Sequence, residues 1–284
     1  MDFQRVGILS DEVSARFDEA LDWIAGNGLR HTEVRVVDGV NIATLADDQV
    51  RRVRDRVESR GLFVSGISSP VFKCALDPSR PVASGDRFGQ QEESVAAHFD
   101  KLARVIEIAK LLGTRRIRIF SFWREIEPAN HRAEIIAQLR RAADIAAKHD
   151  VLLLLENEPS CNGGFAAEVS DLVRGVNSPS LRALWDPGNE VYGGREAFPA
   201  GYEHVKDVLA HVHLKDAYHR KDGSARCVPM GSGDLALLAQ LRALKADGYD
   251  GLFTIETHFI PAGCPQKTGS QLSLDALRTI WKEI

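Results

Sequence analysis

Cysteine is scarce in this sequence: four in 284 residues, at Cys74, Cys161, Cys227 and Cys264. Their separations of 87, 66 and 37 residues contain no Cys-x-x-Cys pair and no compact disulfide framework, so reduced thiols in a cytoplasmic protein are expected. Long apolar runs are missing as well. The longest strictly aliphatic stretch is Val151–Leu155, far short of the roughly 18 residues of a membrane span. Asp, Glu and Arg interrupt the apolar positions near the N-terminus, unlike a signal peptide. Positive charge is not in excess: 36 Lys and Arg against 40 Asp and Glu leave −4 and a pI near 6.2, which gives no footprint for nucleic acid or an anionic membrane.

What remains is the composition of a globular chain, with 44% hydrophobic and 27% charged residues, values that exclude disorder and low-complexity tails. Eight β-rich runs recur, each followed by helical periodicity. The strands are expected at Phe3–Leu9, His31–Val37, Leu62–Ser68, Arg116–Phe120, Val151–Glu156, Leu181–Trp185, His211–Lys215 and Leu252–Glu256. The helices are expected at Ala15–Ala25, Ala46–Arg60, Glu93–Leu112, Ala133–His149, Ala166–Val176, Gly201–Leu209, Asp234–Asp247 and Leu272–Lys282, with a long surface excursion over Ser69–Gly89. No composition break divides the series. It predicts one α/β domain over residues 1–284, a (β/α)8 TIM barrel whose active site lies at the C-terminal ends of the strands. A doubly wound open sheet is disfavoured, because the first turn, Ser10-Asp11-Glu12, has no Gly-rich dinucleotide fingerprint.

On that rim four polar residues recur at stave spacing. Glu156 ends the fifth strand, Asp186 follows the sixth, His213 lies in the seventh and Glu256 ends the eighth, at steps of 30, 27 and 43 residues. Side chains alternate along a strand, so all four can point to one place. Three carboxylates meeting there would repel one another unless a cation stood between them. Oxygen ligands with one imidazole suit one divalent ion: Mn²⁺ first, with Mg²⁺, Co²⁺, Fe²⁺ and Zn²⁺ as alternatives. His211, one pleat from His213, is expected to support a ligand rather than be one.

The blocks LLLLENEP, LWDPGN, HVHLKD and TIETH, with HTEVR and VPMGSGDL, resemble the xylose isomerase-like TIM-barrel superfamily, in particular its sugar phosphate isomerase/epimerase branch. The likeness runs over nearly the whole chain. It implies that Glu156, Asp186, His213 and Glu256 hold the metal and that Glu156 and Glu256 also move the proton, through an enediolate. Two positions depart from the ketose epimerases: Asn189 and His219 stand where those enzymes place His and Arg. Lys215 gives a His-x-Lys-Asp block more similar to inosose dehydratase. The resemblance therefore implies a metal-dependent isomerase or epimerase of a sugar or keto-sugar. The alternatives are a keto-sugar or cyclitol dehydratase and, in another class, a non-catalytic carbohydrate-binding barrel. A distant cousin, endonuclease IV, is set aside because Asn189 removes one of its extra histidines and the charge does not suit DNA.

Arg35, Lys73, Asn189 and Lys215 are the candidate substrate-binding residues, although Arg35 is as readily an ion-pair partner of Glu33. Phe122 and Trp123 are read as a pocket wall or as loop packing. Asp234 is expected to cap a helix after Gly231-Ser232-Gly233, and its charge there would oppose an anion, which favours an unphosphorylated substrate. The expected partner is a small sugar or cyclitol, with neither nucleic acid nor membrane. A homo-oligomer is compatible with the sequence.

Overall fold

The computed structural model describes residues 1–284. Eight parallel strands close a barrel in which every strand lies beside its neighbours in sequence. They are β1 Val6–Leu9, β2 His31–Val34, β3 Phe63–Ser68, β4 Arg116–Ile119, β5 Leu152–Glu156, β6 Leu181–Trp185, β7 Leu209–Leu214 and β8 Leu252–Ile255. Closure is made by β1 against β8, with Val6, Gly7 and Ile8 opposite Phe253, Thr254 and Ile255. The packing is tight at this seam: a Cβ on Gly7 would fall 2.2 Å from the His31 ring, so only glycine admits the imidazole of β2 there.

The helices α1 Phe17–Gly26, α2 Asp47–Glu58, α3 Val95–Leu112, α4 Arg132–Ala147, α5 Ala166–Val176, α6 Pro187–Tyr192, α7 Tyr202–Val205, α8 Leu237–Ala246 and α9 Gln266–Trp281 follow the strands in order. The longer ones bury one apolar face. In α2, otherwise strongly charged, only Val50, Val53 and Val57 are buried, the i, i+3, i+7 pattern of an amphipathic helix; each such side chain stabilises by about 1.5–3 kcal/mol. Ser94 caps α3 by accepting from Ala97 N–H at 3.2 Å, and Gly113, at φ 74°, ends it. No helix is long and apolar enough to cross a membrane.

Several elements differ from expectation. Residues Phe3–Arg5 form a 3₁₀ turn capped by Asp2, so β1 starts at Val6. The second run is shorter than expected, because Val36–Val37 leaves the barrel to pair with Val40–Asn41. Asp38 and Gly39 between them both have positive φ, 48° and 83°, the two-residue turn that Asp-Gly favours. After β7 the chain makes a second hairpin, Asp216–His219 against Ala225–Val228. A helix begins directly after β6 at Pro187, whereas of the expected Gly201–Leu209 helix only Tyr202–Val205 is α-helical. The long third loop, up to Ser94, rests on a small cluster of Phe120, Trp123 and Cys161. Trp123 Nε1–H donates to Glu92 at 2.9 Å and Phe122 stacks on Phe72, so both aromatic residues pack loops.

Candidate active site

The four strands β5 to β8 each deliver one group of a cluster at the barrel mouth. Glu156 is the last residue of β5. The chain leaves β6 at Asp186, which becomes the N-cap of α6: its Oδ1 accepts from Asn189 N–H at 3.0 Å, and its Oδ2 is left for the site. Pro187 then occupies the first helical turn, where its missing N–H costs nothing. Register places His213 of β7 opposite Thr254 of β8, with Glu256 just beyond the strand end. Ligand atoms of Glu156, Asp186, His213 and Glu256 all lie within 4.8 Å of one another, and all four residues are buried. The structure thus brings together the four residues that the strand spacing singled out.

Behind them stands Glu33 of β2. It accepts from His211 Nε2 and Thr254 Oγ1 at 2.5 Å each through one oxygen, and from Ser68 Oγ at 2.5 Å and His213 Nε2 at 3.1 Å through the other. Burial opposes its charge, yet His213 and His211 hold its carboxyl well below the usual range. An ionised Glu33 accepts only, so it fixes Nε2–H on His213 and turns Nδ1 toward Glu156 Oε1 at 3.4 Å and Glu256 Oε2 at 3.3 Å. A carboxylate behind a histidine sets the orientation that a metal ligand needs. His211 stays outside the group of four, bound to Glu33.

Lys215, Arg118 and Arg35 face the carboxylates, with His258 Nε2 a further neighbour of Glu256 at 3.4 Å. Lys215 Nζ lies 2.7 Å from Asp186 Oδ2 and 3.4 Å from Glu256 Oε2. Arg118 Nη1 lies 3.1 Å from Glu156 Oε2. Arg35 pairs with Glu256 at 2.8 Å, and with Asp11 and Glu12 at 2.8 and 2.9 Å; Glu33 is not its partner. Burial pushes Asp186 up to about 6 against the pull of Lys215. Burial also opposes ionisation of Glu256, but Lys215 and His258 hold its carboxyl well below the usual range. Despite these neighbours, Glu156 Oε2, Asp186 Oδ2 and His213 Nδ1 have no aligned hydrogen-bond partner. Buried ligand atoms without such partners, on residues gathered in one cluster, fit a divalent cation.

The cluster opens into a cavity of about 670 Å³ whose wall includes Lys73, Phe88, Arg118, Asn189, Lys215, Cys227 and His258. Lys73 Nζ donates to Asp86 O at 3.0 Å, stands 3.4 Å from Glu158, and has the Phe88 and Phe120 rings 4.4 Å away. Asn189 donates to Asn157 O at 2.7 Å. Of the four expected substrate contacts, Lys73, Asn189 and Lys215 line the cavity, whereas Arg35 stands beside Glu256 and outside its wall. Glu33, Arg118 and His258 carry more of the site than the sequence reading gave them. Arg118 breaks an apolar strand, and His258 shares the parity of Glu256; those were the available signals.

The expected cap at Asp234 is absent. Helix α8 starts at Leu237 with Ala236 as N-cap, and Asp234 pairs with Arg220 at 3.0 Å. The backbone N–H groups of Gly231, Gly233 and Leu235 instead donate to Asp216, at 2.8, 2.9 and 3.3 Å. A buried carboxylate of the chain itself fills this nest of amides.

Closed barrel, strand-end carboxylates and histidine define a (β/α)8 protein with a candidate metal centre. Residues 21–280 match the xylose isomerase-like TIM barrel family, and the chain belongs to that family. It is 24% identical over 142 residues to an inosose dehydratase of Geobacillus thermodenitrificans, covering 45% of this chain and 47% of that protein. The chain spans less than half the length of the curated relatives it matches. Among solved structures, 3-keto-D-glucoside 4-epimerase of E. coli superposes with a TM-score of 0.69 at 17% identity over 98% of this chain and 99% of its own. A xylose isomerase-like TIM barrel protein of Mycobacterium smegmatis in complex with magnesium gives 0.68 at 16% identity, over 93% and 88%. At these identities the likenesses establish the fold.

Proposed function

We propose that the chain is a divalent-metal-dependent isomerase or epimerase of a sugar or keto-sugar, with Glu156, Asp186, His213 and Glu256 as metal ligands. The observation that carries the reading is the convergence of those four buried groups, three of them with an atom that lacks an aligned hydrogen-bond partner. A bound divalent ion would polarise a carbonyl and its neighbouring hydroxyl and acidify the carbon-bound proton between them. The chain supplies the rest. Glu156 and Glu256 approach from different strands and can remove and return that proton as general base and acid. Arg118 beside Glu156 and Arg35 beside Glu256 hold the two carboxylates in place. Lys73, Asn189 and Lys215 offer donors along the cavity wall for substrate hydroxyls. The substrate is read as unphosphorylated, because Asp216 occupies the amides after the seventh strand, where TIM barrels bind phosphate.

The second reading is a dehydratase, in which a β-hydroxyl leaves after the same proton is lost. It is favoured by Lys215, an acid on the cavity wall near Asp186, and by the partial likeness to inosose dehydratase. Turnover of a panel of ketoses and cyclitol ketones in D₂O with Mn²⁺ tests both. Isomerisation or epimerisation places deuterium on carbon without loss of mass, whereas dehydration loses water and creates an absorbing conjugated ketone. Water loss would overturn the leading reading, and turnover undiminished by chelator would overturn the metal-dependent one.

A further inference from the structure

The Lys and Arg side chains at the carboxylate cluster are held unequally. Arg35 makes three aligned hydrogen bonds, to Asp11, Glu12 and Glu256, within 2.9 Å. Arg118 is tied to the backbone by its bond to Ser68 O at 3.2 Å and is stacked against Phe88 and Phe120. Lys215 has no comparable anchor for its charge: its ammonium bears on Asp186 Oδ2 and Glu256 Oε2 and also faces the cavity. The base of the side chain is fixed, however. A Cβ on Gly188 would come 2.7 Å from Lys215 O and 2.9 Å from Lys215 Cβ, so the N-terminus of α6 clamps the end of the seventh strand. Lys215 also lines the cavity, where its ammonium has room to turn.

That tip competes for the atom a metal needs. Asp186 Oδ1 is committed to the helix cap, and its Oδ2 is the oxygen that Lys215 meets at 2.7 Å. An ammonium 2.7 Å from that oxygen and a divalent ion bound to it would stand as like charges at close range in a buried site, and they repel. We propose that Lys215 is the resident counter-ion of the ion-free site, and that a divalent cation displaces its ammonium into the cavity, where it donates to a substrate oxygen. Metal binding thereby arms a positioning residue, and ion and substrate bind in favour of one another. The inference rests on the metal-site reading above.

The test uses the intact chain after chelator treatment, titrated calorimetrically with Mn²⁺. Removing a competing charge should tighten Mn²⁺ binding by about tenfold or more in Lys215→Met and Lys215→Gln. The chelated variants should also melt below the chelated wild type and regain stability with Mn²⁺. A merely structural role would weaken metal binding instead, so the sign decides. In wild type, acylation of Lys215 by a small reagent, read by mass spectrometry, should increase when Mn²⁺ is added. Unchanged or weaker affinity in both variants, or labelling that does not rise, overturns the proposal while leaving the metal site intact, provided that Asp186→Asn abolishes Mn²⁺ binding. If Asp186→Asn binds Mn²⁺ as wild type does, the site reading itself fails and the proposal with it.

Discussion

Asp186 divides its oxygens between a helix and the cluster, and that division makes its role separable. Asn caps a helix about as well as Asp, so Asp186→Asn should keep α6 capped while metal content and turnover fall together. Glu156→Gln and Glu256→Gln differ: the amide oxygen retains some metal, but an amide cannot act as a base, and turnover should drop about 10²- to 10⁴-fold. Metal analysis and kinetics on the three variants check this, and near wild-type turnover in either Gln variant would remove that residue as the base. The four ligands were legible because spacing by staves and parity along strands are local properties of the sequence. Glu33 was not, because its partner His211 lies 178 residues away and only barrel closure brings the two together. The same holds for Arg35, whose charge is shared among Asp11, Glu12 and Glu256.

Between strand and helix, the chain is governed by short polar signals. Helix α5 and strand β6 fall where periodicity puts them, at Ala166–Val176 and Leu181–Trp185. The start of α8 does not, because Asp234 turns to Arg220 and the preceding amides turn to Asp216. Helix α6 escaped notice because six residues are too few to show a period, although its Asp-Pro-Gly start is a signal in itself. This element also carries a buried acid. Glu190 accepts from Asn157 Nδ2 at 3.2 Å, and burial pushes its carboxyl up to about 8 from an ordinary 4.5. The folded state then binds the extra proton between those pH values, so this group's contribution makes stability fall as pH rises through that window. Glu190→Gln should accordingly stabilise the protein near pH 8.5, with the gain shrinking to nothing near pH 4.5, as read by chemical denaturation across the range. A gain independent of pH would contradict the assignment.

The whole molecule is a closed ring of neighbouring strands, and its topology was legible from eight alternating units without a composition break. What composition could not give is depth. Cys74 and Cys161 are buried, Cys227 is half-buried and Cys264 is exposed, and burial raises the Cys74 and Cys161 thiols far above their usual range. A thiol reagent should react first with Cys264 and Cys227 on the native protein and count four only after unfolding; a lower count without reductant would reveal a disulfide. The ring also decides when its ion enters. Three carboxylates already meet Arg35, Arg118 and Lys215 of the same chain, so much of the cluster's charge is balanced from within the chain. On the reading proposed here, loading is a late exchange into a finished barrel. A preformed oxygen-rich site leaves the choice between Mn²⁺ and its stronger-binding competitors to the supply around the protein. The metal found on a purified sample would then record the medium the cells grew in as well as the ligands that hold it.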